Sequence, residues 1–150
     1  DDRETLALGH NADQLISAVA GVRPTVVLMQ TPGAVLTPWR SRVAAIANMF
    51  YGGEQTGNAW AAILFGDAGP TGRLPISFPA TESDAIRPGR KPRVPYSEEL
   101  HTSYRAAGRS AAFPFGHGLS YTAFDFGRPE LVTGSSCRAA MCVRIAITNS

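Results

Sequence analysis

Among the acidic side chains, Glu54 and Glu98 stand in the settings best suited to proton transfer. Glu54 lies inside the glycine-rich run GGEQTGN (52–58), and Glu98 follows Tyr96 in YSEELHTSYR (96–105). A carboxyl group that donates a proton near neutral pH needs a raised pKa, which burial or apolar neighbours supply. Each also has an ordinary structural role open to it. Glu54 precedes a predicted helix, whose dipole would stabilise a carboxylate, and Glu98 can pair with an arginine such as Arg105. Trp39, after Pro38 in a predicted loop, is the candidate for stacking on a ligand at the surface. Trp60, on an apolar helix, reads as core.

Other constellations lead away from chemistry. His10, His101 and His117 are scattered and match no metal-ligand spacing; His117 in FGHG reads as a hydrogen-bonded structural histidine. GGEQTGN lacks the Gly-Lys-Ser/Thr ending of a phosphate-binding loop. Ser120 lacks the Gly-x-Ser-x-Gly turn of a nucleophilic serine. Cys137 and Cys142 have no partner pair for zinc, which leaves a local disulfide or two half-buried thiols, and spacing does not choose between them.

The elements that must position these residues follow from apolar periodicity. Asn11 caps a helix with Ala12, Leu15, Ile16, Val19 and Ala20 on one face, ended by Gly21. Pro24 opens TVVLMQ, a continuous apolar run expected to be a strand covered on both faces. After the loop 31–38, Trp39 to Asn48 carries Val43, Ala44, Ile46 and Ala47 and predicts a second short helix, followed by a brief strand MFY. Gly52, Gly53 and Gly57 supply positive φ or close backbone approach. Asn58 is the expected N-cap of AWAAILF, and Gly66 its C-cap. LPISF alternates as a strand, with Pro75 and Pro79 suggesting an edge. Residues 80–95 read as an extended basic surface loop. Phe113, Phe115 and Tyr121, among Pro114, Gly116 and Gly118, read as an interdomain clasp. AFDFGRPELV and MCVRIAITNS read as two strands around a Gly-Ser-Ser turn. The alternation predicts an α/β layered sheet, mostly parallel and flanked by helices. Its ligands are expected at the loop after Gln30 and the turn 52–57, beyond the strands' carboxyl ends.

Composition narrows the function class. With 150 residues and 44% apolar content the chain can bury a core. A net charge of +2 argues against nucleic-acid or anionic-membrane partners. Apolar runs fall far short of the roughly 20 residues of a membrane span. The first residue is Asp1, and the chain is read as an internal piece of a longer protein.

Two strings carry a resemblance. YGGEQTGNAWAAILFGD with GPTGRLPISFP (51–79) and, more specifically, FPFGHGLSYTAF (113–124) resemble the C-terminal α/β domain of glycoside hydrolase family 3, the β-glucosidases and their relatives. The segment 96–105 resembles the family's Tyr-x-Glu-Gly…Gly-Tyr-Arg stretch, departing at Glu99 and Ser103, where glycine is usual. The resemblance implies an incomplete α/β sandwich over residues 1–122 and the first strands of a fibronectin-III-like β-sandwich over 123–150. It implies a parent enzyme that removes terminal β-D-glucosyl residues with retention, with no metal or organic cofactor. The nucleophilic aspartate would lie on an N-terminal barrel outside this chain. The family's acid/base glutamate sits in a Gly-Glu-Gly-x-Asp-Arg loop whose Asp-Arg matches Asp2-Arg3, so that glutamate is expected just before Asp1. No catalytic residue is then expected within the chain, which alone should be inactive. Asp2 and Arg3 would border the sugar site as an ion pair holding the loop, with Trp39 and Glu98 as further substrate-adjacent candidates. The partners implied are a β-linked glucoside or oligosaccharide and the parent's own barrel, in an extracellular or wall compartment. A β-xylosidase of the same family and a non-catalytic carbohydrate-binding module are the alternatives.

Overall fold

The first helix, α1 (Ala12–Ala20), starts after two consecutive left-handed residues, His10 (φ 57°) and Asn11 (φ 58°). Asn11 tolerates that conformation but makes no side-chain cap bond. Gly21 closes the helix with φ −73°, so its glycine is not demanded by a left-handed turn. The computed structural model describes residues 4–86, 99–105, 108–133 and 137–150. They fall into two units, one from residues up to Trp60 with Gly72–Gly118, the other from Ala61–Thr71 with Leu119–Ser150.

In the first unit, β1 (Val26–Gln30) and β2 (Ala45–Met49) pair in parallel, Val26 opposite Ala45 and Gln30 opposite Met49. The expected helix over 39–48 is therefore a strand, preceded by a 3₁₀ turn at Arg40–Arg42. Val43, Ala44, Ile46 and Ala47 suit either period in so short a run. The neighbouring strand decides it: Ala44 N–H donates to the Thr25 carbonyl at 2.8 Å just before the ladder begins. The brief strand MFY is correspondingly absorbed, since only Met49 belongs to β2.

Within these 150 residues β1 is covered on one face only, where two covered faces are expected. Val27 and Met29 are buried, while Val26 and Leu28 are 49% and 39% exposed. The buried face joins Val35, Trp39 and Phe78 in the core, with Ile16 of α1 and Ile46 of β2 packed against it. Full burial of each such side chain contributes about 1.5–3 kcal/mol.

The second helix, α2 (Thr56–Phe65), starts two residues before the expected cap. Thr56 Oγ1 donates to the Gly53 carbonyl at 2.7 Å, and Asn58 bonds back to the Gln55 side chain at 2.5 Å. Gly66 ends the helix in the left-handed region, φ 85°, as expected of a C-cap glycine. Within the second unit, the Tyr121 hydroxyl donates to the Ile63 carbonyl at 2.7 Å, satisfying one of the last-turn acceptors left open by helix geometry.

LPISF forms less strand than its alternation predicts, because Pro75 and Pro79 cannot donate to a ladder. Of this segment only β3 (Phe78–Pro79) forms a strand, antiparallel to β4 (Ala111–Phe113), with the register shifting between Phe78 (opposite Phe113) and Pro79 (opposite Ala111). The contact extends irregularly: Leu74 N–H donates to His117 O and Gly116 N–H to Leu74 O, both at 2.8 Å. Phe115 N–H reaches Ser77 Oγ at 3.0 Å. Phe78 links Phe50 and Phe113 with ring centroids 6.3 Å apart on each side, and the His117 ring lies 5.3 Å from Phe113. His117 is thus held through its backbone and by ring packing.

In the second unit the two expected strands appear as a bent antiparallel pair. β5 (Phe124–Phe126) faces β8 (Ile147–Asn149), and β6 (Glu130–Val132) faces β7 (Cys142–Arg144). Residues 127–129 oppose only Ile145 and Ala146, a bulge that bends the strand, with Gly127 N–H bonded to Ala146 O at 2.8 Å. Cys137 and Cys142 form a disulfide, Cα atoms 5.7 Å apart. Among the described residues the sheets are one parallel and three antiparallel pairs, which corrects the expected mostly parallel layered sheet. Only β1 and β2 pair in parallel, and the later strands pair antiparallel with no helix between β4 and β8 to carry a parallel crossover. Among the described residues no helix is long and apolar enough to cross a membrane.

Candidate functional site

The carboxyl ends of β1 and β2 come together at the two loops the sequence singles out. Thr31, 4% exposed, directs its hydroxyl at Gly33 O (2.8 Å) and Asn48 Oδ1 (3.2 Å), tying the loop after β1 to β2. Asn48 Nδ2 and Thr37 Oγ1 are buried without a hydrogen-bond partner among the described residues. Buried polar groups of this kind are normally paired in folded chains. Gly52 is required by close approach: a Cβ there would collide with Thr56 Oγ1 and lie 2.8 Å from Met49 Sδ and 3.1 Å from Gln30 Nε2. Gly53 and Gly57 meet nothing within 4 Å.

Glu54 sits in the turn before α2, exposed. Within this chain it is a surface carboxylate near a helix N-terminus. Among the described residues no group of three or more His, Cys, Asp or Glu could hold a metal ion. Asp2, Arg3 and Glu98 lie outside the described residues.

Trp39 is the clear correction. It is 1% exposed and belongs to the core, with its indole N–H donating to Asp13 Oδ1 at 2.8 Å. The TPGAVLTPW segment reads as a loop, but it folds underneath the sheet, so Trp39 offers no face to a ligand.

A second locus escapes the sequence reading. A cleft of about 540 Å³ is lined by Leu6, Ile76, Asp84, Tyr104, Arg109 and Phe115 among others. Tyr104 stacks on Phe115, centroids 4.6 Å apart and planes 26° apart, with the Arg105 guanidinium 5.3 Å over the Tyr104 ring. Both aromatics are about half exposed, 56% and 49%. Their signal is present in SYR and FPFG, but nothing in the sequence shows that residues eleven positions apart would stack.

The turn TESD (81–84) contributes Asp84 to this lining. Thr81 and Asp84 form a reciprocal capping box, and Asp84 also accepts the Ser110 N–H at 2.9 Å. The Thr81 hydroxyl, followed by the Ser110 amide, holds the Asp84 carboxyl below its ordinary value of 3.8. A carboxylate whose folded pKa is depressed contributes stability that is fully present above the unfolded value and is lost as pH falls through the folded one. Asp84→Asn is therefore expected to flatten the acid limb. In urea melts below about pH 4, the variant's midpoint should fall less steeply with pH than the wild type's; equal slopes would contradict the assignment. Arg109 completes the turn by donating to Ser83 O (3.4 Å) and Ala85 O (3.0 Å).

With this geometry in place, comparison with known proteins is direct. The family model for the glycosyl hydrolase family 3 C-terminal domain matches residues 1–121. A Rhizobium radiobacter β-glucosidase is 37% identical across 99% of this chain, and a probable β-glucosidase I of Aspergillus flavus is 38% identical across 88%. Among solved structures, the β-glucosidase DesR of Streptomyces venezuelae in complex with D-glucose superimposes with a TM-score of 0.82, at 40% identity over 99% of this chain. Thermotoga neapolitana β-glucosidase 3B in complex with glucose does so at 0.81 and 27% identity over 99%. The chain spans about a fifth of each of these proteins: 20%, 17%, 20% and 22% of their lengths in the same order.

Proposed function

Because the chain belongs to glycosyl hydrolase family 3, we propose that it is the C-terminal part of a β-glucosidase that releases terminal β-D-glucosyl residues with retention. The observation that carries this reading is the similarity, over 99% of the chain, to β-glucosidases that include one in complex with D-glucose. Retention calls for two carboxyl groups about 5–5.5 Å apart, one attacking as a carboxylate and one protonating the departing oxygen. The nucleophile belongs to an N-terminal barrel of the parent and the acid/base glutamate to the segment just upstream of Asp1. Asp2 and Arg3 then border the sugar as an ion pair that holds the loop. Glu98 is a substrate-adjacent candidate in the same reading. This chain supplies the scaffold, and the reaction proceeds without metal or organic cofactor.

Residues 123–150, with their bent antiparallel pairs, are read as the opening strands of a fibronectin-III-like sandwich. The Cys137–Cys142 disulfide suits an oxidising, extracellular or wall compartment. The test is a pair of assays. The full-length parent is expected to liberate glucose from an aryl β-glucoside, with the β-anomer formed first by NMR, while the 150-residue chain shows no hydrolysis above background. Turnover by the chain alone would overturn the division of labour. Preference for an aryl β-xyloside would move the parent to the xylosidase alternative. A non-catalytic carbohydrate-binding role loses the support of Trp39 and rests on the Tyr104–Phe115 pair; saccharide binding by a parent without hydrolysis would favour it.

A further inference from the structure

Residues 4–8 form no helix or strand, yet they are held at two points by parts of the chain far away in sequence. The Leu6 carbonyl accepts the Leu36 N–H at 2.9 Å. On the other side, one oxygen of Glu82 accepts both the Thr5 hydroxyl at 3.0 Å and the Leu6 N–H at 3.3 Å, across 77 and 76 positions of sequence. Thr5 Oγ1 in turn accepts the Ala7 N–H at 3.1 Å. Glu82 stands on a braced support, since its turn is closed by the Thr81–Asp84 capping box and tied to the β4 side through Ser110 and Arg109. Charged acceptors make the stronger hydrogen bonds, so this carboxylate is a clamp between a rigid turn and an otherwise irregular segment.

We propose that Glu82 is a positioning residue for the acid/base loop. Its carboxylate fixes Thr5 and Leu6, and with them the direction in which the chain immediately upstream runs. This rests on the reading above, in which the acid/base glutamate precedes Asp1. From Thr5 back to that glutamate is only a handful of residues, each spanning at most about 3.3–3.6 Å, so an anchor at Thr5 limits how far a proton donor there can drift. A misplacement of about 1 Å at a reacting group can cost on the order of 100-fold in rate.

The experiment uses the full-length parent, with Glu82→Ala, Glu82→Gln and Thr5→Val compared with wild type on β-glucosides of graded leaving-group acidity. A substrate with an acidic phenol departs without protonation; an alkyl glucoside or disaccharide does not. Glu82→Ala and Thr5→Val are each expected to lower kcat/KM for the alkyl glucoside by about tenfold or more. For the dinitrophenyl glucoside the change should stay within about threefold, steepening the dependence on leaving-group pKa. Glu82→Gln keeps a carbonyl oxygen that can accept from both Thr5 and Leu6, and is expected to restore the wild-type slope. A uniform loss across all leaving groups, or wild-type behaviour in both Glu82→Ala and Thr5→Val, would overturn the proposal while leaving the β-glucosidase reading intact. Should Glu82→Ala not fold, Thr5→Val decides alone. A wild-type parent inactive on every glucoside would overturn the reading itself, and the proposal with it.

Discussion

Replacing Trp39 by alanine should destabilise the protein by about 3–5 kcal/mol, the range for removing a large aromatic from a packed interior. The residue is 1% exposed and shares the core with Val27, Met29, Val35 and Phe78. Its N–H is also the partner of Asp13 Oδ1 at 2.8 Å, a bond from the post-β1 loop to α1. Two losses are therefore superimposed, and Trp39→Phe separates them. Phenylalanine keeps much of the buried area but has no donor, so its cost should be nearer the roughly 1.5–3 kcal/mol of a hydrogen bond to a charged group. Asp13→Asn added to Trp39→Phe should cost little more, because the coupling between the two side chains has already gone. Urea midpoints at constant m report all three changes. A tryptophan that stacked on sugar from the surface would behave in the opposite way, with substrate affinity falling while the unfolding midpoint stayed put. That outcome would refute the core assignment.

Trp39 looks like a surface residue in the sequence for a physical reason. PGAVLTPW has the turn formers of a surface connection, and loops usually do run over surfaces. Yet Val35, Thr37 and Trp39 are each 1% exposed or less, because alternate residues of the segment point under the sheet. Extended backbone with a period of two is visible only once a neighbour defines which side is inside. The stretch 39–48 is ambiguous for a related reason, since small apolar residues fit either period and pairing with β1 settles it. By contrast α1, β1 and α2 are legible, because each combines a strong apolar pattern with punctuation, and Gly66 sits at φ 85° as a helix-ending glycine should. The two strings that carry the family resemblance turn out to be hydrogen-bonded to one another: residues 74–80 run against 110–117. Each string is therefore shaped by the other. The site is less legible because the Tyr104–Phe115 stack and the Glu82 clamp join residues that only the fold brings together.

That pairing sets up the other large effect, at Gly118. Its φ is not in the left-handed region, so backbone strain gives no reason for glycine there; the reason is space. A Cβ at Gly118 would lie 2.5 Å from the Gly72 carbonyl oxygen, 2.8 Å from Arg73 Nη1 and 2.9 Å from Arg73 Cδ. The arginine's far end can swing aside, but Gly72 O is backbone, so alanine must push the two strings apart. The movement falls beside the bonds that join Leu74 to Gly116 and His117. Overpacking of this kind costs about 1–3 kcal/mol, and valine at the same position should exceed alanine. Gly72→Ala is the internal control, because its Cβ would meet nothing within 4 Å and reduced freedom in the unfolded chain favours alanine by about 0.4–1 kcal/mol. Thus two glycines facing each other across one contact are expected to respond with opposite signs. The Leu74 amide should exchange its hydrogen faster in Gly118→Ala and no faster in Gly72→Ala, since its protection depends on the His117 carbonyl remaining within reach. Equal melting temperatures for wild type and Gly118→Ala would mean that the contact relaxes at no cost, and the close approach would then not be what the FGHG segment is built to make.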